Sequence, residues 1–255
     1  MLQNKTGIVF GVANQRSLAW SITESLASAG AELAVTYQDT RFEKKIKKMA
    51  GESLEKEPLT ILCDVTDEKQ VDRLTQTLEN SFGKLDFMVH SIAFAGKEEL
   101  EGAFINTSRD GFLKAMEISA YSLVSLSRAL SPLLKEGGSI VTLTYLGSSR
   151  VIPNYNVMGV AKAALEAIVR YLASDLGPRR IRVNALSPGP VNTLSARGIK
   201  GFTGFLEQVD QKTALGQNIS GREVGDAALF LCSDLSRGIT GEVIYVDAGY
   251  NIMGL

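Results

Sequence analysis

Seven short runs of β-branched and aliphatic residues alternate with longer amphipathic stretches, and this alternation constrains the fold more than any other feature. The strand-like runs lie near 6–12, 31–37, 58–64, 85–91, 138–145, 180–186 and 241–247. Helical periodicity occupies 17–29, 40–52, 67–82, 108–135, 154–176 and 222–233, with polar starts such as Ser17 and Asp67. Strands separated by helices read as βαβ units, whose crossovers cover a parallel sheet on both faces. The pattern predicts an α/β chain with a doubly wound, seven-stranded parallel sheet.

No Pro/Ser-rich linker, composition shift or internal repeat divides the 255 residues, so a single domain over 1–255 is expected. Neither period holds over 187–207, where Ser-Pro-Gly-Pro is followed by Gly198, Gly201 and Gly204. A flap near 193–207 is predicted there.

Composition excludes several function classes. Lys and Arg number 27 against 28 Asp and Glu, a net charge of −1 that gives no global field for nucleic acid or anionic membrane. The run Arg41 to Lys48 is basic, but Phe42, Ile46 and Met49 recur at helical spacing, which reads as a solvated helix face. With one histidine, His90, and no Cys-x-x-Cys, the ligands for a His/Cys zinc site are missing. As a lone strand-end histidine, His90 is expected to be packed and without catalytic role. Cys63 and Cys232 sit in apolar runs, as buried reduced thiols do. No stretch of eighteen apolar residues occurs, and the first strand-like run is too short for a signal-peptide core. A cytoplasmic protein is expected.

Two segments carry chemistry. The first strand ends at Gly11, and the chain passes through Ser17 and Leu18 into a helix. A glycine turn before a helix N-terminus lets backbone approach a pyrophosphate where the helix dipole is positive. A plain turn with Ser17 as N-cap is the bland reading. Asp64-Val65 after the third strand and Ser91-Ile92-Ala93 after the fourth would line the same crevice, which strengthens a dinucleotide site. The second segment runs from Asn154 through Tyr155 and Met158 to Lys162. If 154–176 is helical, Tyr155 and Lys162 lie about 700° and about 10.5 Å apart and share a face. There a phenol can donate a proton or hydrogen bond while an ammonium holds a ribose. The alternative makes Tyr155 and Met158 core residues and Lys162 a snorkelling cation.

Four motifs together carry a resemblance over residues 4 to 252. They are the glycine turn, Asn-Tyr-Asn-Val-Met-Gly-Val-Ala-Lys, Arg-Val-Asn-Ala-Leu-Ser-Pro-Gly-Pro, and the final Gly-Glu-Val-Ile-Tyr-Val-Asp-Ala-Gly. They resemble the short-chain dehydrogenase/reductase superfamily. The six residues between Tyr155 and Lys162 are similar to its divergent branch, the NADH-type enoyl-acyl-carrier-protein reductases of bacterial type II fatty-acid synthesis. Ordinary members place the tyrosine four residues before the lysine, where this chain has Met158. Their usual serine corresponds to Tyr145 and their helix asparagine to Ser119.

The resemblance implies a Rossmann-like fold and reduction of an enoyl thioester carried by acyl carrier protein. It implies Tyr155 on the thioester carbonyl, Lys162 on the cofactor ribose and Tyr145 in the pocket. Cofactor contacts are implied at Gly11, Ser17, Leu18, Gln38, Asp64, Val65, Ser91, Ile92, Ala93, Val191 and Thr193. Substrate contacts are implied at Ala95, Met158, Ala196, Ile199 and Phe202. In the flap, Ile199, Phe202 and Phe205 would cover an acyl tail, and Arg197 with Lys200 would face an acidic carrier; an oligomer contact is the other reading. Asp39 after strand two would repel a 2′-phosphate, favouring NADH, whereas Arg41, Lys44 and Lys45 would favour NADPH. A homotetramer is implied, in keeping with the uncharged stretches 118–127 and 151–161. Two rivals stand beside this reading. One is a related reductase of ketones or small enoyl compounds; the other is a catalytically silent dinucleotide-binding regulator.

Overall fold

The computed structural model describes residues 1–193, 206, 209 and 212–254. Seven parallel strands, β1 Thr6–Phe10, β2 Glu32–Tyr37, β3 Leu59–Leu62, β4 Leu85–His90, β5 Leu134–Leu143, β6 Arg182–Pro188 and β7 Val243–Val246, form one sheet. Their order, β3-β2-β1-β4-β5-β6-β7, is that of a Rossmann-like doubly wound fold. Chain direction across the sheet reverses between β1 and β4, where Phe10 pairs with His90.

The helices are α1 Leu18–Ser28, α2 Glu43–Ser53, α3 Glu68–Phe82, α4 Arg109–Met116, α5 Ser122–Leu130, α6 Val157–Leu176 and α7 Gly221–Cys232. Alternate strand residues face opposite sides, so neighbours in sequence enter different cores. Val9, Val35 and Val89 pack with Trp20 and Leu26 of α1, Met49 of α2 and Leu231 of α7. Ile8, Ala34 and Met88 pack with Leu74 of α3, Leu126 of α5 and Leu165 of α6. Each fully buried large side chain contributes about 1.5–3 kcal/mol, so two-sided burial explains why these strands are apolar throughout.

Ser17 and Asp67 cap their helices as predicted, accepting from Trp20 N and from Lys69 and Gln70 N. The continuous helix expected over 108–135 is corrected. It comprises α4, a π-helical turn at Glu117–Tyr121, and α5, which stops at Leu130. Ser131 keeps helical angles, φ −55° and ψ −35°, as the C-cap, and Pro132, which has no amide N–H to donate, ends the helical hydrogen bonding before β5. The start of α6 is also corrected, from 154 to Val157. Asn154 and Asn156 have φ of 63° and 40°, left-handed values that asparagine tolerates better than most residues, and Tyr155 lies between them outside the helix.

Candidate active site

All seven strands run in one direction, so the segments after Phe10, Tyr37, Leu62, His90, Leu143 and Pro188 gather at one end of the sheet. In open parallel sheets that end, at the reversal point, forms the ligand crevice. At its centre Gly11 has φ of +91°, and any side chain there would overlap the Ser91 carbonyl. Only glycine lets the first turn lie this close to the β4 end. Ile92 lies beside the same position.

Ser17 closes the turn by donating to Asn14 O at 2.7 Å, and Leu18 opens α1, whose N-terminus faces the crevice. On the next connection Gln38 Nε2 donates to Asp64 Oδ2 at 3.2 Å, linking the ends of β2 and β3. Burial alone would raise the Asp64 pKa, but hydrogen bonds from Thr66 and Gln38 outweigh it and hold the carboxyl below its usual value. Val65, partly buried, packs on the adjoining core. Asp39 accepts from Arg41 Nε at 3.0 Å and Nη2 at 2.8 Å, an exposed two-point pair that lowers the acid's pKa.

Tyr145, Tyr155 and Lys162 converge on the segment that leaves β5. Lys162 is 5% exposed, and its Nζ donates to Leu143 O at 2.7 Å, its single acceptor among the described residues. Burial pulls its pKa down to about 8, against the opposing pull of Glu166. The Tyr155 ring packs over Gly147 and meets Tyr145 edge to face, with centroids 5.0 Å apart. A Cβ at Gly147 would lie 2.5 Å from the Tyr155 ring, so the phenol requires a bare backbone at that contact. Both tyrosines have pKa values raised, chiefly by burial, and therefore stay protonated donors. Neither hydroxyl has a hydrogen-bond partner among the described residues.

Tyr155 and Lys162 do not share a helical face as the spacing predicted, because Tyr155 precedes α6. Lys162 is held at the end of β5, on Leu143, and Tyr155 on the connection that follows, at Gly147. Met158, on the first turn of α6, lies with its sulfur 3.7 Å from Ser119 Oγ. That hydroxyl also accepts from Phe94 N at 2.9 Å, which fixes the loop carrying Ala93 and Ala95. The π-helical turn places Ser119 there; such turns recur where a helix must re-aim a residue at a site. Thr193 N donates to Val191 O at 2.7 Å as the chain leaves β6. Ala196, Ile199 and Phe202, with Arg197, Lys200 and Phe205, lie outside the described residues.

Two side-chain networks, one buried and one partly buried, were not singled out from the sequence. His90 is fully buried, with Nδ1 2.9 Å from Thr142 Oγ1 and Nε2 2.8 Å from Ser122 Oγ. Burial, with the Lys162 charge adding to it, takes its pKa down to about 3, so it is neutral and has no role as an acid. In the other network Thr144 Oγ1 donates to Glu166 Oε1 at 2.6 Å. The Thr-x-Thr at 142–144, at a strand end in an apolar run, was the available signal. Cys63 and Cys232 are buried with pKa values pushed up to about 12, so neither is a thiolate. Among the described residues no cluster could hold a metal ion, and no helix is long and apolar enough to cross a membrane.

A glycine-led first turn at the reversal point, with a buried ammonium and two phenols gathered beside the end of β5, defines a dinucleotide-dependent oxidoreductase of Rossmann-like architecture. A family model for enoyl-(acyl-carrier-protein) reductase matches residues 11–251. The chain belongs to that family. It is 50% identical over 254 residues to the NADH-type enoyl-(acyl-carrier-protein) reductase FabI of Bacillus cereus, covering 100% of this chain and 99% of that one. The crystal structure of the Bacillus cereus enzyme with NADP+ and indole naphthyridinone superposes with a TM-score of 0.97, at 50% identity and with coverage of 100% and 99%. The NADH-type reductase of Aquifex aeolicus gives 0.95 at 48% identity, with the same coverage.

Proposed function

We propose that the chain reduces trans-2-enoyl-acyl-carrier-protein to the saturated thioester, with NADH as the cofactor, in fatty-acid elongation. The observation that carries this reading is Lys162. A buried ammonium with one protein acceptor keeps two N–H donors for a ligand, and a ribose diol supplies matching oxygens. The glycine cradle at Gly11 and the α1 N-terminus suit a pyrophosphate, while Gln38 and Asp64 suit the adenosine end.

Bound NADH supplies the hydride. The chain's own task is to stabilise the negative charge that gathers on the thioester oxygen as C3 is reduced. Tyr155 does this by hydrogen bonding, its proton held by a raised pKa. Tyr145 shapes the pocket beside it, and Met158 with Ser119 forms the wall where an ordinary ketone reductase carries its tyrosine and asparagine. Met158 has no proton to give a ketone, which disfavours the ketone-reductase rival.

From the sequence we assign the acyl contacts to Ala196, Ile199 and Phe202, and the carrier-protein contact to Arg197 and Lys200. The enzyme acts in the cytoplasm as a homotetramer. A mostly apolar groove of about 480 Å³ between Leu113, Met116, Glu117, Ala120, Tyr121 and Ile168 supports burial of this face against another copy. The test is NADH oxidation with crotonyl and longer enoyl thioesters beside β-ketoacyl thioesters. Turnover of the enoyl substrates alone is expected; preference for the ketoacyl substrates would overturn the reading.

A further inference from the structure

We propose that Glu166, anchored by Thr144, is a positioning residue whose negative charge maintains the Lys162 ammonium that grips the cofactor ribose. This rests on the assignment of Lys162 as that grip. Lys162 and Glu166 stand four residues apart on α6, one turn along the same face. The lysine is held by the carbonyl of Leu143 at 2.7 Å, and the carboxylate is held by the hydroxyl of Thr144 at 2.6 Å. Consecutive residues at the end of β5 therefore fix both members, one through its backbone and the other through its side chain. Thr144 is 4% exposed and donates its own N–H to Leu186 O at 2.8 Å, so the anchor is tied to the sheet.

An isolated buried ammonium tends to lose its proton, and a nearby carboxylate opposes that loss. Among the described residues, His90 on β4 feels the Lys162 charge, and the phenols Tyr145 and Tyr155 lie on the β5–α6 connection beside it, with Tyr250 acting on Tyr145. His90 is neutral above about pH 3, and burial keeps both phenols protonated. Glu166 supplies the negative charge that these neutral groups do not, and it opposes the burial that leaves the lysine pKa at about 8. Its role is electrostatic support at a distance, since the carboxylate's short hydrogen bond goes to Thr144.

Glu166→Gln separates charge from shape, because the amide oxygen still accepts from Thr144. NADH affinity is measured by fluorescence from pH about 6 to about 9.5 in the parent, in Glu166→Gln and in Lys162→Met. In the parent, affinity is expected to fall through a limb near pH 8 as the ammonium deprotonates. In Glu166→Gln the limb is expected to move down by about one pH unit, leaving affinity at the acid end unchanged. In Lys162→Met it is expected to be absent. A limb unmoved in Glu166→Gln but lost in Lys162→Met would overturn the role of Glu166 alone. A limb that persists in Lys162→Met would overturn the lysine assignment and this inference with it.

Discussion

Tyr145 and Tyr155 meet edge to face, with ring planes inclined at 69° and centroids 5.0 Å apart, so each ring orients the other while both hydroxyls stay available. The Tyr155→Phe variant keeps the ring contact and removes one donor. Turnover is expected to drop on the order of 10²-fold, with NADH affinity near that of the parent. Tyr145→Phe is expected to lose less than about tenfold, since its hydroxyl is not assigned to the reacting oxygen. Steady-state kinetics on both variants, with fluorescence titration of NADH, measures the difference.

Lys162 is retained at a cost in stability. Its folded-state pKa of about 8 lies below the ordinary 10.5, so the unfolded chain holds that proton more firmly. The penalty is fully present below about pH 8 and declines as pH rises toward 10.5. Without cofactor, Lys162→Met is expected to be more stable than the parent by about 1–3 kcal/mol near neutral pH. It should gain less from added NADH. Thermal melts with and without NADH test both statements.

His90 is the chain's one histidine, so its imidazole signals are unambiguous. Its pKa is lowered from 6.5 to about 3, so no titration is expected between pH 5 and 8 by NMR. The unfolded chain binds this proton between pH 6.5 and about 3 whereas the folded chain does not. Stability should therefore fall with acidification across that window. A midpoint near 6.5 in the folded protein would show that the ring is solvated.

Just after β2, Asp39 holds the Arg41 side chain by two hydrogen bonds and its backbone N–H by a third. If Asp39 stands against the adenosine ribose, Asp39→Ala removes a carboxylate that would repel a 2′-phosphate and frees a guanidinium to meet it. The ratio of kcat/KM for NADPH to that for NADH is expected to rise by on the order of tenfold. An unchanged ratio would show that this pair does not read the cofactor.

The alternation of strands and helices was legible in the sequence because two-sided burial demands apolar strands of a few residues between amphipathic crossovers. All seven strands lie where that periodicity put them, with ends shifted by a few residues. Gly11 ended β1 earlier than expected, because its positive φ takes it off the strand. The interruption between α4 and α5 was hidden because a π-helical turn leaves the apolar pattern of Ile118, Leu123 and Leu126 almost helical. The displacement of Tyr155 from α6 was written only in two asparagines, which do not break a helix by composition. Lys162 and Glu166 were visible as residues, but their anchors on Leu143 and Thr144 depend on β5 lying beside α6, a long-range contact that local spacing does not encode.

Isotope placement in the product distinguishes conjugate reduction from reduction at the carbonyl. The enzyme is supplied with NADH deuterated at the transferred position and a trans-2-enoyl thioester in ordinary water, and the saturated product is analysed by NMR. Conjugate reduction with the charge stabilised on the thioester oxygen by Tyr155 predicts deuterium at C3 and solvent hydrogen at C2. Deuterium at the carbonyl carbon or at C2 would contradict it.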